Sequence, residues 1–195
     1  MRSARAEEPA TPPLDIAALR EAPQHADAVA GWLHGQWYRQ RGDTLAAVRE
    51  RLLAEPPGGR YPASLVACRG AEPVGAFTLE ATADPLSGLP RLCLADLFVA
   101  PDWRRRGVGA CLCEAALAQA RAWRIPRLSL LTDSHAAYYA RLGWAPVQLV
   151  AARSGGAEVP ALLMSRPTDP IRVSASSYRR ARTLCCAPWA PGADP

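Results

Sequence analysis

A predicted strand that passes through a short turn into a helix constrains the fold of this chain most strongly. The apolar run Leu92–Val99 is typical of a strand, which Pro101 ends. From Gly107 to about Trp123, apolar residues recur at the spacing of a helix with one buried face. A strand that leads directly into such a helix predicts a sheet with helices packed against it.

The turn itself carries the pattern R-x-x-G-x-G, formed by Arg104, Gly107 and Gly109. Glycine has no Cβ, so backbone N–H groups can approach a ligand closely here, and a helix N-terminus favours an anion. The pattern therefore predicts a phosphate-binding turn; the alternative is a basic turn without a ligand. The chain contains no lysine, which excludes G-x-x-x-x-G-K-S/T, and G-x-G-x-x-G is not completed after Gly109.

Strand-like and helix-like patterns alternate over residues 15–166, and no internal repeat is visible. The further predicted strands are 16–20, 64–68, 74–79, 127–131, 147–151 and 159–164, and the further predicted helices are 24–40, one that opens at the Thr44 cap, and 134–142. This mixture predicts an α/β fold, with a mixed sheet flanked by helices, as one domain over residues 15–166.

The two flanking segments lack a sustained amphipathic pattern. Residues 1–14 are rich in Ala, Glu, Arg and Pro, and residues 167–195 are rich in Pro and Arg. Such composition is typical of flexible tails, and we expect the second to be disordered. No apolar run is long enough to span a bilayer, and no apolar signal segment follows Arg2 and Arg5. We therefore expect a cytoplasmic protein without a membrane partner.

The formal net charge is +5, and all 23 basic residues are arginine. Together with the 19 prolines, this favours a bias in the coding sequence over selection for nucleic-acid contacts, so we expect no nucleic-acid partner. The six cysteines show no C-x-x-C spacing and no matching pair of histidines, so no metal site is expected. The absence of lysine also excludes a Schiff-base mechanism.

A second motif lies about 30 residues after the glycine turn, where residues 136–144 read A-x-Y-Y-x-x-L-G-W. A strand, the R-x-x-G-x-G-A helix, another strand and this motif, in that order, resemble the GCN5-related N-acetyltransferase (GNAT) superfamily. The resemblance covers most of residues 15–166 and is densest over 92–147. Two motifs in the expected order and structural context are more specific than either alone.

The resemblance implies a mixed seven-stranded sheet, flanked by about four helices, that opens between strand 92–99 and strand 127–131. Acetyl-CoA would lie in this opening as co-substrate, with its pyrophosphate on the backbone amides of Arg105–Ala110 and the arginine side chains beside them. The pantetheine arm would pair with Leu97–Val99, where a backbone amide would polarise the thioester carbonyl. The implied cofactor-binding residues are Leu97, Phe98, Val99, Arg104, Arg105, Arg106, Gly107, Val108, Gly109 and Ala110.

The resemblance also assigns the catalytic acid. Tyr139 stands at the family's acid position, four residues before Gly143. A phenol there can donate its proton to the departing thiolate. The alternative is a tyrosine that only packs on the sheet. Its neighbour Tyr138 is expected to be a core residue, because the family usually has an apolar aromatic side chain there.

The base is less narrowly defined. Several family members use a carboxylate just before the cofactor-pairing residues to take the amine proton through a water, and Asp96 is the nearest acidic group here. Asp96 is therefore the candidate, with a purely structural carboxylate as the alternative and Glu80 as the reserve. Polyamine-type members often have Glu at the preceding position, which is Ala95 in this chain, and this argues against a polyamine substrate.

The implied reaction is transfer of acetyl from acetyl-CoA to a primary amine by direct attack in a ternary complex, and a small-molecule acceptor is favoured. The alternatives are a peptide or protein N-terminal acetyltransferase and a non-catalytic acyl-CoA-binding regulatory module. Acceptor specificity in the superfamily usually lies in the first two helices and the loop before the cofactor strand, here Trp32, Trp37, Tyr38 and residues 84–88. Trp32 and Trp37 are expected at core positions, with an apolar substrate wall as the alternative. A homodimer remains open.

Overall fold

The computed structural model describes residues 13–84, 88–154 and 157–169. Most of both predicted tails, and most of the loop 84–88, lie outside these residues. Within them, no helix is long and apolar enough to cross a membrane.

Seven strands form one mixed sheet in the order β1-β2-β3-β4-β5-β7-β6, which confirms the predicted architecture. Neighbouring strands are antiparallel except for β4 and β5, which are parallel. The strands are β1 (Leu14–Ala18), β2 (Ala63–Arg69), β3 (Glu72–Ala83), β4 (Pro90–Val99), β5 (Arg127–Thr132), β6 (Ala145–Ser154) and β7 (Ala157–Pro167).

Helices cover both faces of the sheet. They are α1 (Ala26–Leu33), α2 (Leu45–Leu53), α3 (Val108–Ala122) and α4 (Ala136–Arg141). α3 connects the parallel strands β4 and β5, as a parallel pair requires. The predicted cap is present, because the Thr44 hydroxyl accepts a hydrogen bond from the Ala47 amide at 3.2 Å.

The predicted single helix over 24–40 is wrong, because the chain changes its helical type after α1. It continues as a π-helical turn over His34–Tyr38 and a 3-10 turn over Arg39–Arg41. In a π-helical turn a residue five positions on returns to the same face, so Leu33 and Tyr38 are both buried. Tyr38 thus takes a buried position, whereas Trp37, which is expected in the core, is half-buried.

The sheet separates two apolar clusters. On one face, Phe77 of β3 lies with Leu112 of α3. On the other, Ala76 of β3 and Phe98 of β4 lie with Leu33 of α1. Successive residues of a strand point to opposite faces, so β2, β3 and β4 each contribute to both clusters. We refer to these as the α3 face and the α1–α2 face.

A bulge in β4 changes the direction of Asp96. Between the residue pairs Thr78–Ala95 and Ala76–Phe98, β4 contains one residue more than β3. Asp96 adopts a left-handed φ of 52°, which is uncommon for a residue other than glycine. A bulge of this kind re-aims a side chain, and here it leaves Asp96 on the α1–α2 face.

The sheet opens directly after the paired parts of β4 and β5. In the described part of the chain, these strands pair only at Cys93–Ser129 and Leu94–Leu130. Among the residues that the structure describes, no strand therefore lies beside residues 95–99 of β4 on the β5 side. The opening lies at the carboxyl ends of the two parallel strands, next to the start of α3, where ligands bind in open α/β sheets.

The described fold continues to Thr168, two residues beyond the predicted domain boundary. Thr168 is buried, its amide donates to the Pro126 carbonyl at 3.1 Å, and its hydroxyl donates to the Ile125 carbonyl at 2.6 Å. These two hydrogen bonds connect the residue after β7 to residues 125–126, which precede β5.

Candidate active site

The turn between β4 and α3 brings the predicted phosphate-binding residues to the opening. After a 3-10 turn over Pro101–Trp103, Arg105 and Gly107 adopt left-handed φ values of 59° and 81°, and Gly107 is the N-cap of α3. The Cys111 amide donates to the Gly107 carbonyl at 3.1 Å. The amides of residues 108–110 precede this bond, and such amides have no carbonyl partner within their own helix. With the positive end of the helix dipole, they suit a phosphate group.

The arginine side chains of the turn are exposed, and two of them contact neighbouring groups. Arg104 donates through Nε to the Val99 carbonyl at 3.0 Å, and its guanidinium lies 5.4 Å from the centre of the Phe98 ring. The Arg106 guanidinium lies 5.2 Å from the centre of the Trp103 ring. These contacts keep positive charge at the mouth of the opening without using the backbone amides.

The two glycines of the turn are required for different reasons. Gly107 has open space around it, but its left-handed φ disfavours any side chain. A Cβ at Gly109 would lie 2.6 Å from the Tyr138 hydroxyl oxygen and 3.7 Å from Val99 Cγ2. Gly109 therefore makes room for Tyr138, a reason that its place in a phosphate-binding pattern does not suggest.

The two tyrosines of α4 contact each other, and the Tyr138 hydroxyl reaches the first turn of α3. Their ring centres are 5.2 Å apart, and the Tyr139 ring lies edge-on to Trp144 at 6.2 Å. Burial raises the pKa of Tyr138 to about 12, and burial together with the nearby Cys113 thiol raises the pKa of Tyr139 above its ordinary value. Both phenols therefore carry their protons at neutral pH and can act as donors. Tyr138 is half-buried and its hydroxyl reaches Gly109, so it is not the simple core residue that the sequence predicts.

The last residues of β4 present their backbone to the opening. Leu97 and Val99 pack against the α3-face cluster, whereas Phe98 is buried on the α1–α2 face. Phe98 stacks on Trp32 at 5.5 Å between ring centres and meets Trp37 edge-on at 6.3 Å. The two tryptophans are half-buried, so they form an aromatic group with the cofactor strand and are not fully enclosed in the core.

Asp96 accepts a hydrogen bond from Tyr38, which belongs to the apolar cluster on the α1–α2 face. The Tyr38 hydroxyl donates to Asp96 Oδ2 at 2.6 Å. Burial raises the pKa of Asp96, and the hydrogen bonds from Tyr38 and Thr78 oppose this effect, as do the charges of Arg41 and Arg51. A carboxylate with a raised pKa is closer to the proton affinity that a general base needs near neutral pH.

Glu80 lies on the same side of the sheet, opposite Cys93 on β4. Burial raises the pKa of Glu80, and the negative charge of Asp96 raises it further. The two carboxylates therefore lie close enough for the charge of Asp96 to act on Glu80. The candidate base and its reserve are therefore parts of one acidic site.

Sequence reasoning missed the contact between Tyr38 and Asp96. Tyr38 was considered only for acceptor specificity, and no local pattern connects two residues 58 positions apart. The available signal was general: a tyrosine on a buried helical face needs a partner for its hydroxyl.

A cavity of about 490 Å³ lies at the opposite end of the β4–β5 pair, and its lining includes Tyr61, Arg91, Arg127 and Ser165. No predicted catalytic or cofactor-binding residue lines it, although Asp84 of the predicted specificity loop 84–88 does. Arg91 is paired with Asp84 at 3.2 Å, and Arg127 donates to Ser165 at 2.8 Å. This cavity is separate from the phosphate-binding turn. Among the described residues, no three His, Cys, Asp or Glu side chains stand together as a metal site.

Comparison with known proteins identifies the fold and the family. Residues 26–144 match the model of the "Acetyltransferase (GNAT) family". No curated protein sequence matches the chain significantly.

Solved structures share the fold at low sequence identity. An aminoglycoside 6'-acetyltransferase type Ii is 21% identical with a TM-score of 0.60, over 80% of this chain and 98% of that one. An aminoglycoside 6'-N-acetyltransferase complexed with coenzyme A is 18% identical with a TM-score of 0.62, over 80% and 98%. A GNAT-family acetyltransferase from Streptococcus pneumoniae is 16% identical with a TM-score of 0.57, over 79% and 98%.

Proposed function

The chain belongs to the GNAT family of acetyltransferases, and from this we propose that it transfers an acetyl group from acetyl-CoA to the primary amine of a small molecule. The geometry that supports the proposal is the helix N-terminus that follows the unpaired end of β4, with Asp96 within that stretch of β4 and α4, which carries Tyr139, packed through Tyr138 on the first turn of α3. This arrangement offers a base, an acid and an anion site together.

The residues that would hold acetyl-CoA fit its chemistry. The amides of residues 105–110 would bind the pyrophosphate, and the exposed side chains of Arg104, Arg105 and Arg106 would add positive charge. The edge of β4 at Leu97–Val99, which does not pair with β5 and whose Val99 carbonyl accepts a hydrogen bond from Arg104, would pair with the pantetheine arm, as a strand pairs with a strand. When bound, acetyl-CoA supplies the acetyl group as a thioester.

The chain's own residues would move the two protons of the reaction. Asp96, directly or through a water, accepts a proton from the acceptor amine as the new C–N bond forms. Tyr139 donates its proton to the sulfur as the C–S bond breaks. A backbone amide of Leu97–Val99 donates to the carbonyl oxygen, which gains negative charge on attack. The products are an N-acetylated amine and a free thiol, so atoms and charges balance.

The acidic site supports a cationic acceptor. Asp96 and Glu80 face the α1–α2 side, where an ammonium group would be attracted before it loses its proton. Two structural neighbours are aminoglycoside acetyltransferases, which act on amines of small molecules as their names state. The proposed contacts with the pyrophosphate give the exposed arginines of the turn a local role, and we propose no nucleic-acid partner. A cytoplasmic location is part of the same proposal.

The test is release of free thiol from acetyl-CoA against a panel of amines. The panel contains aminoglycosides, amino acids, simple alkylamines and short peptides with free N-termini, and a reaction without acceptor is the control. We expect release with small amines and an acetylated amine detected by mass spectrometry. Release with peptides alone would instead establish the peptide acetyltransferase, and acetyl-CoA binding without transfer to any acceptor would indicate the non-catalytic module.

A further inference from the structure

Tyr38 and Asp96 form a hydrogen bond, and each of them lies in an irregular segment of the backbone. Tyr38 ends the π-helical turn that follows α1, and Asp96 is the bulged residue of β4. π-turns and β-bulges are both over-represented at functional sites, because each re-aims a side chain at a local cost. Here the two irregularities point their side chains at each other, and the hydroxyl-to-carboxylate distance is 2.6 Å.

We propose that Tyr38 is a positioning residue for acetyl transfer: its hydroxyl holds the Asp96 carboxylate in the ionised, proton-accepting state and in a fixed orientation toward the opening. The inference rests on the proposed function, in which Asp96 is the base. Tyr38 acts through Asp96 and does not itself exchange a proton with substrate.

The side chain of Tyr38 is itself held in place. It is 8% exposed, and the guanidinium groups of Arg41 and Arg51 lie 5.1 Å and 4.6 Å from its ring centre. Arg51 is paired with Asp43 at 3.0 Å. A buried ring with cations near it has little freedom, so its hydroxyl stays directed at Asp96.

Groups from each surrounding element influence the charge of Asp96. Glu80 on β3 disfavours a second negative charge, whereas Thr78 on β3 donates a hydrogen bond that favours the ionised form. Arg41 and Arg51 favour the ionised form through their positive charges. Of these opposing influences, the hydrogen bond from Tyr38 is the largest. Tyr38 additionally fixes one carboxylate oxygen, which distant charges cannot do.

Phenylalanine at position 38 removes the hydroxyl and keeps the ring. The hydrogen bond from Tyr38 lowers the pKa of Asp96, and burial raises it. Without this donor, the pKa of Asp96 should therefore rise further above its ordinary value. The carboxylate would also lose the contact that fixes one of its oxygens. We expect a loss in kcat of about tenfold, the effect of one hydrogen bond to a charged group.

The experiment compares the wild type, Tyr38→Phe and Tyr61→Phe as full-length proteins. Tyr61 contacts Trp123 at 6.0 Å between ring centres, away from the acidic site, so the same chemical change there is a matched control. The ¹³C signal of the Asp96 carboxyl carbon, assigned with Asp96→Asn, is followed by NMR against pH without any acceptor. We expect a higher titration midpoint in Tyr38→Phe and the wild-type midpoint in Tyr61→Phe. An unchanged midpoint in Tyr38→Phe would overturn the inference.

Two further measurements complete the test. In the wild type, the ¹³Cζ signal of Tyr38 should inflect at the Asp96 midpoint, and its absence would overturn the inference even if Tyr38→Phe does not fold. With an amine found active in the panel, full turnover of Asp96→Asn would remove Asp96 as base, which is a failure of the proposed function. Loss of turnover in Asp96→Asn together with wild-type kinetics in Tyr38→Phe would overturn the positioning role alone.

Discussion

The Tyr138 hydroxyl occupies the space that a side chain at Gly109 would need, because a Cβ there would lie 2.6 Å from its oxygen. α4 is thereby packed on the first turn of α3. The two sequence motifs, about 30 residues apart in the chain, are joined by this contact.

Gly109→Ala should therefore lower the free energy of unfolding by about 1 kcal/mol through overpacking against Tyr138. Tyr138→Phe in the same protein should restore most of the loss, because the next ring atom is 3.6 Å from the added Cβ. Urea denaturation of the wild type, both single variants and the double variant measures this coupling. Equal instability of the single Gly109 variant and the double variant would show that Tyr138 is not the obstacle.

Acetyl-CoA should stabilise the fold, by about 2.7 kcal/mol at a concentration one hundred times its dissociation constant. Gly107→Val should abolish this stabilisation, since a β-branched residue cannot readily hold the left-handed φ of 81° that shapes the turn. Gly42 has a φ of 86° and equally open surroundings. Gly42→Val is thus a matched control that suffers the same strain and keeps the acetyl-CoA effect, measured by thermal denaturation with and without ligand. Retained binding in Gly107→Val would contradict the phosphate-binding turn.

Tyr139→Phe should lower turnover by about 10²–10⁴ while acetyl-CoA affinity changes little, because general acid catalysis acts in the transition state. Tyr138→Phe should keep its turnover. A phenol acts as acid only while protonated, and burial raises the pKa of Tyr139, so ionisation of Tyr139 should not reduce the wild-type rate below about pH 10. Steady-state rates over pH 6–10 with an active amine test both points. Full turnover of Tyr139→Phe, with chemistry rate-limiting, would make Tyr139 a packing residue.

Asp96→Asn should abolish most turnover yet increase stability at neutral pH. The folded pKa of Asp96 lies above its ordinary value, so the native wild type binds this proton more tightly than the unfolded chain. Its stability therefore falls as pH rises from the ordinary value through the folded pKa, whereas the neutral amide has no such dependence. The stability advantage of Asp96→Asn should be larger at pH 7 than at pH 4 in denaturant titrations. The opposite pH trend would mean that hydrogen bonds and nearby cations outweigh burial at this site.

Local patterns predicted the elements that depend on local forces. The apolar run ending at Val99, the Thr44 cap and the α3 periodicity all correspond to observed elements, because propensity and burial agree there. The bulge at Asp96 was not predicted. In an almost continuous apolar run, the sequence does not show where the alternation of inward and outward side chains changes. The change from α-helix to π-helical turn after Leu33 was not predicted for a related reason. Leu33 and Trp37 are four residues apart, which is the spacing of a regular α-helix.

The site divides in the same way. The glycine turn is a prediction from residues close together in sequence, and Tyr139 is a candidate through the position of its motif in the family. The partner of Asp96 depends on how α1 is placed on β4, and the need for Gly109 depends on how α4 is placed on α3. Tertiary packing decides both contacts, so no window of sequence contains them.

The short parallel pairing at Cys93–Ser129 and Leu94–Leu130 has an energetic consequence. It makes the sheet two antiparallel ribbons, one of four strands and one of three, that share very few main-chain hydrogen bonds. A strand-like ligand along the free edge of β4 would supply hydrogen bonds that β5 does not make. Such a ligand would extend the line of backbone hydrogen bonds along β4 beyond the two residues that join the ribbons.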